Sequence, residues 1–431
     1  MKFSSNHILL SWLPQLNSQV WILAVGRFLS HSGSGFTLFY APIFFVNQVG
    51  LSATAVGIGH GTGSLVGIFG RFLGGSLADS KRWGRRRTLL LSTVFCALAS
   101  FALALSDNFP MFLGAHLLMG LGIGLYWPAV EAAITDLTTN EQRNEAFAVT
   151  RLADSLGLGI GILLGGVLIS TTELYRALFV IDGISYVVFF MIVYAGLRET
   201  RHFDEQHSQP VLQGWNAALS DRLLLVYVSV NVLFTTYIAQ VDNTMPLYFA
   251  NFVLGKTLKG LSPTTISGLF AWYIFLVALC QLPAVRALNS LSRVRALMIS
   301  IVFWAAGFLL VWSAGVTTHG QQILAIFALS VIAIAHVTYS PFATAFVAEI
   351  APESLRGIYL AINAQCWGVG FFVGSFLGGL ALDNQKVASH TIASGLTANN
   401  LWLAAAASTL VGLVILKTLD WMRDRQESTF I

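Results

Sequence analysis

Gly157-Leu158-Gly159-Ile160-Gly161-Ile162-Leu163-Leu164-Gly165-Gly166 returns 213 residues later as Gly370-Phe371-Phe372-Val373-Gly374-Ser375-Phe376-Leu377-Gly378-Gly379. Four glycines keep their register: Gly157, Gly161, Gly165 and Gly166 become Gly370, Gly374, Gly378 and Gly379. The same offset carries Pro128 to Pro341, Arg143 to Arg356, Ala148 to Ala361 and Asp136 to Glu349. Half of 431 residues is about 215, so the chain reads as two halves built on one plan. Small residues at this spacing let helix backbones approach closely, as helices packed in lipid do.

Apolar residues make up 55% of the chain and charged ones 10%. So few charges cannot keep a 46.7 kDa protein soluble in water, which excludes a water-soluble globule. A helix needs about 20 apolar residues to cross a bilayer. Twelve such spans are predicted, at 19–46, 52–79, 88–106, 110–136, 146–170, 175–197, 222–251, 262–288, 294–315, 320–350, 356–381 and 398–418. The expected fold is an all-α membrane protein with 12 transmembrane helices in two pseudo-symmetric six-helix bundles. Residues 1–197 form the first bundle, 198–221 a cytoplasmic linker, and 222–431 the second bundle and tail. Two matched bundles imply a shared central cavity and a rocking motion, the plan of a secondary transporter.

Basic residues set the expected orientation. With the N-terminus inside, inner segments hold Lys2, Lys81, Arg82, Arg85, Arg86, Arg87, Arg143, Arg198, Arg201, Arg222, Arg293, Arg295, Arg356, Lys417, Arg423 and Arg425. Outer segments hold Arg176, Lys256, Lys259 and Lys386. This asymmetry places both termini in the cytoplasm and the chain in the cell membrane, inner or plasma. Met1–Gln19 lacks an h-region followed by a cleavage site, so it is not read as a removed signal. Cys96, Cys280 and Cys366 fall in apolar segments as small buried hydrophobes, with no metal or disulfide spacing. No basic stripe interleaved with aromatics points to nucleic acid. No cofactor is expected.

Gly75-Ser76-Leu77-Ala78-Asp79-Ser80-Lys81-Arg82-Trp83-Gly84-Arg85-Arg86-Arg87 follows the second span. It resembles the signature loop of the major facilitator superfamily, Gly-x-x-x-Asp-Arg-x-Gly-Arg-Arg, with two residues inserted before Gly84. The fourth span, His116-Leu117-Leu118-Met119-Gly120-Leu121-Gly122-Ile123-Gly124-Leu125-Tyr126-Trp127-Pro128, is similar to that superfamily's Arg-x-x-x-Gly-x-Gly-x-Gly-x-x-x-Pro, with His116 in place of Arg. The glycine stretch quoted first resembles the antiporter motif ending Gly-Pro-x-x-Gly-Gly, with Ile162 at the proline position. Within the superfamily the chain looks most like the 12-helix drug:proton antiporter group. The resemblance implies a cytoplasmic latch between the halves, built from Gly75, Asp79, Gly84, Arg85 and Arg86 with Asp136 as a further partner. It also implies that the two glycine stretches pack against the opposite half.

Ionisable groups inside a membrane are costly and mark function or pairing. Glu131, His116, Asp154 and Asp182 are the proton-coupling candidates, with Glu131 leading. Histidine can exchange a proton near neutral pH, which arginine cannot. Arg151 and Asp154, three apart, are expected to pair with each other. Arg27, His31, Tyr126, Trp127, Asn231, Gln240, Asp242, His336, Tyr339, Asn363 and Gln365 are the substrate-cavity candidates, with Asp242 as contact for a cation. The expected activity is proton-coupled efflux of an amphipathic small molecule or drug by a monomer in the bilayer. The alternatives are uniport or symport of a sugar or other metabolite, and a membrane sensor that has lost transport. No Gly-x-x-x-x-Gly-Lys-Ser/Thr loop supports a nucleotide-driven pump, and no convergent catalytic set supports a membrane enzyme.

Overall fold

The structure is a computed structural model that describes residues 16–80, 82–200, 211–253, 260–352, 355–388 and 397–429. The charged stretch 201–210 and residues Lys2, Lys81, Lys256, Lys259 and Glu353 lie outside the described residues, as does the side chain of Lys386. Every regular element among the described residues is helical. The first half holds α1 (Ser18–Thr37), α2 (Tyr40–Asn47), α3 (Ala53–Ala78), α4 (Gly84–Leu105), α5 (Phe109–Asp136), α6 (Asn140–Thr172) and α7 (Tyr175–Gly196). A short helix, α8 (Val211–Ser220), leads into the second half. There follow α9 (Arg222–Ala239), α10 (Met245–Asn251), α11 (Pro263–Leu288), α12 (Arg293–Val316), α13 (Gln321–Ile350), α14 (Arg356–Ala388) and α15 (Ala398–Thr429).

Ten of these segments are long and apolar enough to cross a membrane by length and composition. The other two expected spans are α1–α2 and α3, whose apolar runs are broken by Arg27, His31, His60, Arg71 and many glycines. Proline explains the interruptions near one end of the bundle. Pro42 has no N–H for the carbonyl of Leu38, and the first span breaks there into α1 and α2. Pro246 likewise cannot bond to the carbonyl of Asp242, and Gln240–Thr244 between α9 and α10 forms a π-helical turn.

The repeated glycines have repeated neighbours, and here the structure corrects the expectation from sequence. The expected contact of both stretches with the opposite half holds for one glycine of each four. Gly157, Gly161 and Gly165 lie against α1–α2 of their own half, at Phe28, Ser32, Gly35 and Tyr40. Gly370, Gly374 and Gly378 lie against α9 and the π-helical turn of theirs, at Thr235, Thr236 and Thr244. Gly166 and Gly379 cross over, to Ser267 of α11 and to Ala53 and Thr54 of α3. The halves therefore meet along α3–α14 and α6–α11.

Candidate functional site: two cavities between the halves

The ends of the helices remote from α8 are sealed across the halves. Asp383 of α14 accepts from the backbone N–H groups of Ala53 (3.0 Å) and Thr54 (2.8 Å) and from the Thr54 hydroxyl (2.6 Å). Ser52 accepts from Ala55 at 3.0 Å. Together they satisfy the first donors of α3, and the carboxylate sits at the positive end of the helix dipole. Asn47 and Asn251 exchange side-chain hydrogen bonds of 2.9 and 3.1 Å, and Phe39 stacks on Phe270 with centroids 4.1 Å apart.

The charged loops at the opposite end, beside α8, pair within each half. Arg85 donates to Asp79 (2.7 Å) and Asp136 (3.0 Å). Arg86 donates its side chain to the Tyr194 carbonyl at 2.6 Å, while its backbone N–H reaches Glu199. Gly84 has φ of +80° and opens α4, the left-handed conformation that glycine adopts without strain. Gly75 has open space where a Cβ would stand. These contacts tie α3, α4, α5 and the end of α7 into one block; they do not bridge the halves as the family resemblance implied. In the second half, Glu349 lies 3.8 Å from Arg293 and 4.0 Å from Arg423.

A cavity of about 250 Å³ opens on this side. Arg27, Trp127, Glu131, Arg151, Asp154, Gln281 and His336 are among its walls, and Glu131, Arg151 and Gln281 are exposed. The expected Arg151–Asp154 pair is replaced by a longer-range one. Asp154 takes both Nε (2.9 Å) and Nη2 of Arg27, and His31 Nδ1 lies 3.4 Å from its Oδ1. A bidentate guanidinium–carboxylate pair has the geometry and strength that a buried charge needs, so tertiary contact outcompetes the local spacing. Tyr126 and Trp127 place their rings 5.8 and 5.5 Å from the guanidinium carbon. Glu131 lies in the field of Arg151, Arg27 and Arg71. Tyr273 and His336 Nδ1 are 2.7 Å apart.

A second cavity of about 370 Å³ lies deeper, between α3, α5 and α7 of the first half and α14 of the second. His116 and Asp182 line it, so the four proton-coupling candidates divide between two cavities, with Trp127 on the wall of both. Asp182 accepts from Ser100 (2.8 Å) and Ser34 (3.5 Å). His116 Nδ1 donates to the Phe112 carbonyl at 3.1 Å, and its ring meets that of His60 with centroids 4.3 Å apart. His60 and Arg71, both on α3, were not among the residues singled out from sequence. Each was legible as a polar side chain interrupting an apolar run. Arg71 donates to the Ala364 carbonyl of α14, across the halves.

Several cavity candidates instead hold the second half together. Asn231 donates to Asn363 at 2.8 Å and accepts from Tyr339 at 2.6 Å; Tyr227 also donates to Asn363, at 2.9 Å. All four are buried. Gln240 donates to the Gly374 carbonyl at 2.9 Å, and Gln365 Oε1 is buried without a partner. Asp242 sits on the π-helical turn and is on the wall of neither cavity. Among the described residues no group of three or more His, Cys, Asp or Glu is placed to hold a metal.

Residues 23–260 and 253–429 match the Major Facilitator Superfamily. The chain belongs to that superfamily. Its architecture and its relatives make this major facilitator a multi-pass membrane transporter. It is 26% identical over 327 residues to the MFS-type transporter YhjO of Bacillus subtilis, covering 74% of this chain and 75% of that one. It is 24% identical over 388 residues to a Na(+), Li(+), K(+)/H(+) antiporter of Planococcus maritimus, covering 82% and 87%. The multidrug resistance protein MdtH of Salmonella arizonae is 25% identical over 349 residues, covering 80% and 81%. Among solved structures, the peptide-family transporter PepTSo superposes with a TM-score of 0.78 at 14% identity, covering 96% of this chain and 99% of that one. The nucleoside transporter NupG superposes with a TM-score of 0.75 at 15% identity, covering 94% and 99%. These two likenesses concern the fold alone.

Proposed function

We propose that this major facilitator is a proton-coupled exporter of amphipathic small molecules that works as a monomer by alternating access. The residues 1–197 and 222–431 are the two rocking bodies, and the linker side faces the cytoplasm. The observation that carries the reading is Glu131. It is an exposed carboxylate on a wall between the halves, reachable from the linker side, and Arg27 and Arg151 share that wall. Neutralising it changes how strongly those arginines hold the halves or a bound anion. Only such a difference between conformations can couple a gradient to transport. The likeness to an antiporter and to a multidrug resistance protein supports exchange and export. A second reading, uptake of a sugar or other metabolite, draws on Ile162 at the antiporter proline position and His116 in place of arginine.

The experiment is uptake into proteoliposomes under an imposed pH gradient, screened over cations, acids, sugars and lipids. Glu131→Gln is expected to abolish gradient-driven accumulation and to spare substrate exchange. Accumulation equal to that of the parent protein would remove Glu131 from the proton path.

A further inference from the structure

The deeper cavity is lined by a guanidinium whose donors are only partly used and by an imidazole nitrogen with no hydrogen-bond partner. Asp182, the carboxylate on its wall, already accepts from Ser100 and Ser34. Arg71 spends one N–H on the neutral carbonyl of Ala364, which leaves its charge and the rest of its donor fork. A cation in the low-dielectric interior without a full counter-charge marks an anion pathway or site. At the other end of the cavity stand the two imidazoles. The Phe112 carbonyl can only accept, so His116 carries its proton on Nδ1 and the neutral ring offers the Nε2 lone pair. His60 Nε2 is buried and has no hydrogen-bond partner.

The two ends belong to one elongated site. His60 and Arg71 are eleven residues apart on α3, which places them about 20° apart around the helix and about 16 Å apart along it. Between them the wall is apolar and aromatic, with Trp127, Phe179, Trp367 and Phe371. The volume is that of a site for one small organic molecule. Asp242, the carboxylate offered to a cation by the sequence, is not on this wall.

We propose that the deeper cavity binds an amphipathic carboxylic acid, with its carboxylate on Arg71, its apolar body along the aromatic wall, and a hydroxyl or similar polar group at His60 and His116. A guanidinium matches a carboxylate through two parallel N–H donors, which an ammonium cannot reproduce. Glu131 also acts on Arg71 electrostatically, so an ionised Glu131 and a bound carboxylate compete for one cation. This assignment names the substrate class of the proposed transporter and rests on that reading for passage across the membrane; binding alone requires neither a gradient nor turnover.

The test is calorimetric titration of the purified full-length protein in lipid nanodiscs. The probes are para-hydroxyphenylpropionate, its primary amide, and the amine of the same skeleton. The acid is expected to bind at least roughly tenfold more tightly than either. Arg71→Gln is expected to remove that preference and leave amide binding as it was. Arg71→Lys, which keeps the charge and loses the fork, is expected to retain part of the preference and decides the matter if the glutamine variant does not fold. His60→Ala is expected to weaken the hydroxylated acid more than phenylpropionate, a fourth probe that lacks the hydroxyl. Equal affinities, tightest binding of the amine, no binding of any probe, or an acid preference unchanged by substitution at Arg71 would overturn the assignment. Proton-driven accumulation is measured separately on the same protein. Its loss with acid binding intact would count against coupled transport and not against this site.

Discussion

Arg27 and Asp154 show how one residue's environment decides its role. Arg27 is 2% exposed and has its charge met by a carboxylate 127 positions away. Removing that carboxylate strands a guanidinium in the bundle. Asp154→Asn is therefore expected to destabilise the protein by about 3 kcal/mol. The midpoint of thermal unfolding in detergent is the measurement, and an unchanged midpoint would show the pair to be dispensable. Replacing both partners, as Arg27→Met with Asp154→Leu, is expected to recover most of the loss, because no buried charge is then left alone.

At the scale of the element, glycine position matters more than glycine number. In α6, a Cβ on Gly161 would press on the backbone of α1, with Gly35 Cα 2.9 Å away, while one on Gly159 meets only Ile274 at 3.9 Å. Gly161→Ala should force α1 and α6 apart at a cost of about 1–3 kcal/mol. Gly159→Ala should be neutral or slightly stabilising, since alanine favours the helix. Thermal midpoints of the two variants, compared side by side, check this. Equal midpoints would mean that α1 and α6 yield without cost. The π-helical turn at Gln240–Thr244 follows the same logic of local cause: a proline two residues beyond removes a donor, and the helix changes its hydrogen-bond spacing there.

For the molecule as a whole, the clasp at Asp383 holds the far end shut. Its three bonds join α14 to the start of α3, and they cannot persist once the halves part there. Asp383→Ala should weaken this conformation by about 1.5–3 kcal/mol relative to the opposite one. That corresponds to a more than roughly tenfold shift in the ratio of the two states. Spin labels at Gln48→Cys and Thr264→Cys report it as a longer distance distribution by pulsed electron resonance. An unchanged distribution would show that the aromatic stack and the Asn47–Asn251 pair suffice. The Asp79–Arg85–Asp136 cluster acts differently in this state, as a brace inside one half.

The apolar runs of spanning length were sufficient to specify membrane helices, and the motifs at residues 75–87 and 116–128 carried the resemblance to the superfamily. Of the twelve expected spans, ten meet the length and composition of a membrane helix among the described residues. Those features are local or periodic, and lipid leaves a polar backbone few alternatives to the helix. The candidate site was legible only in part. Intramembrane charge drew attention to Glu131, Arg27, His116 and Asp182, but not to which cavity each one faces or which partner it takes. Asp154 belongs to Arg27 rather than Arg151, Asn231 and Asn363 are spent on each other, and Asp383 reaches α3 only because α14 lies beside it. Those choices depend on contacts between residues more than a hundred positions apart, which tertiary packing brings within hydrogen-bond distance and sequence spacing does not encode.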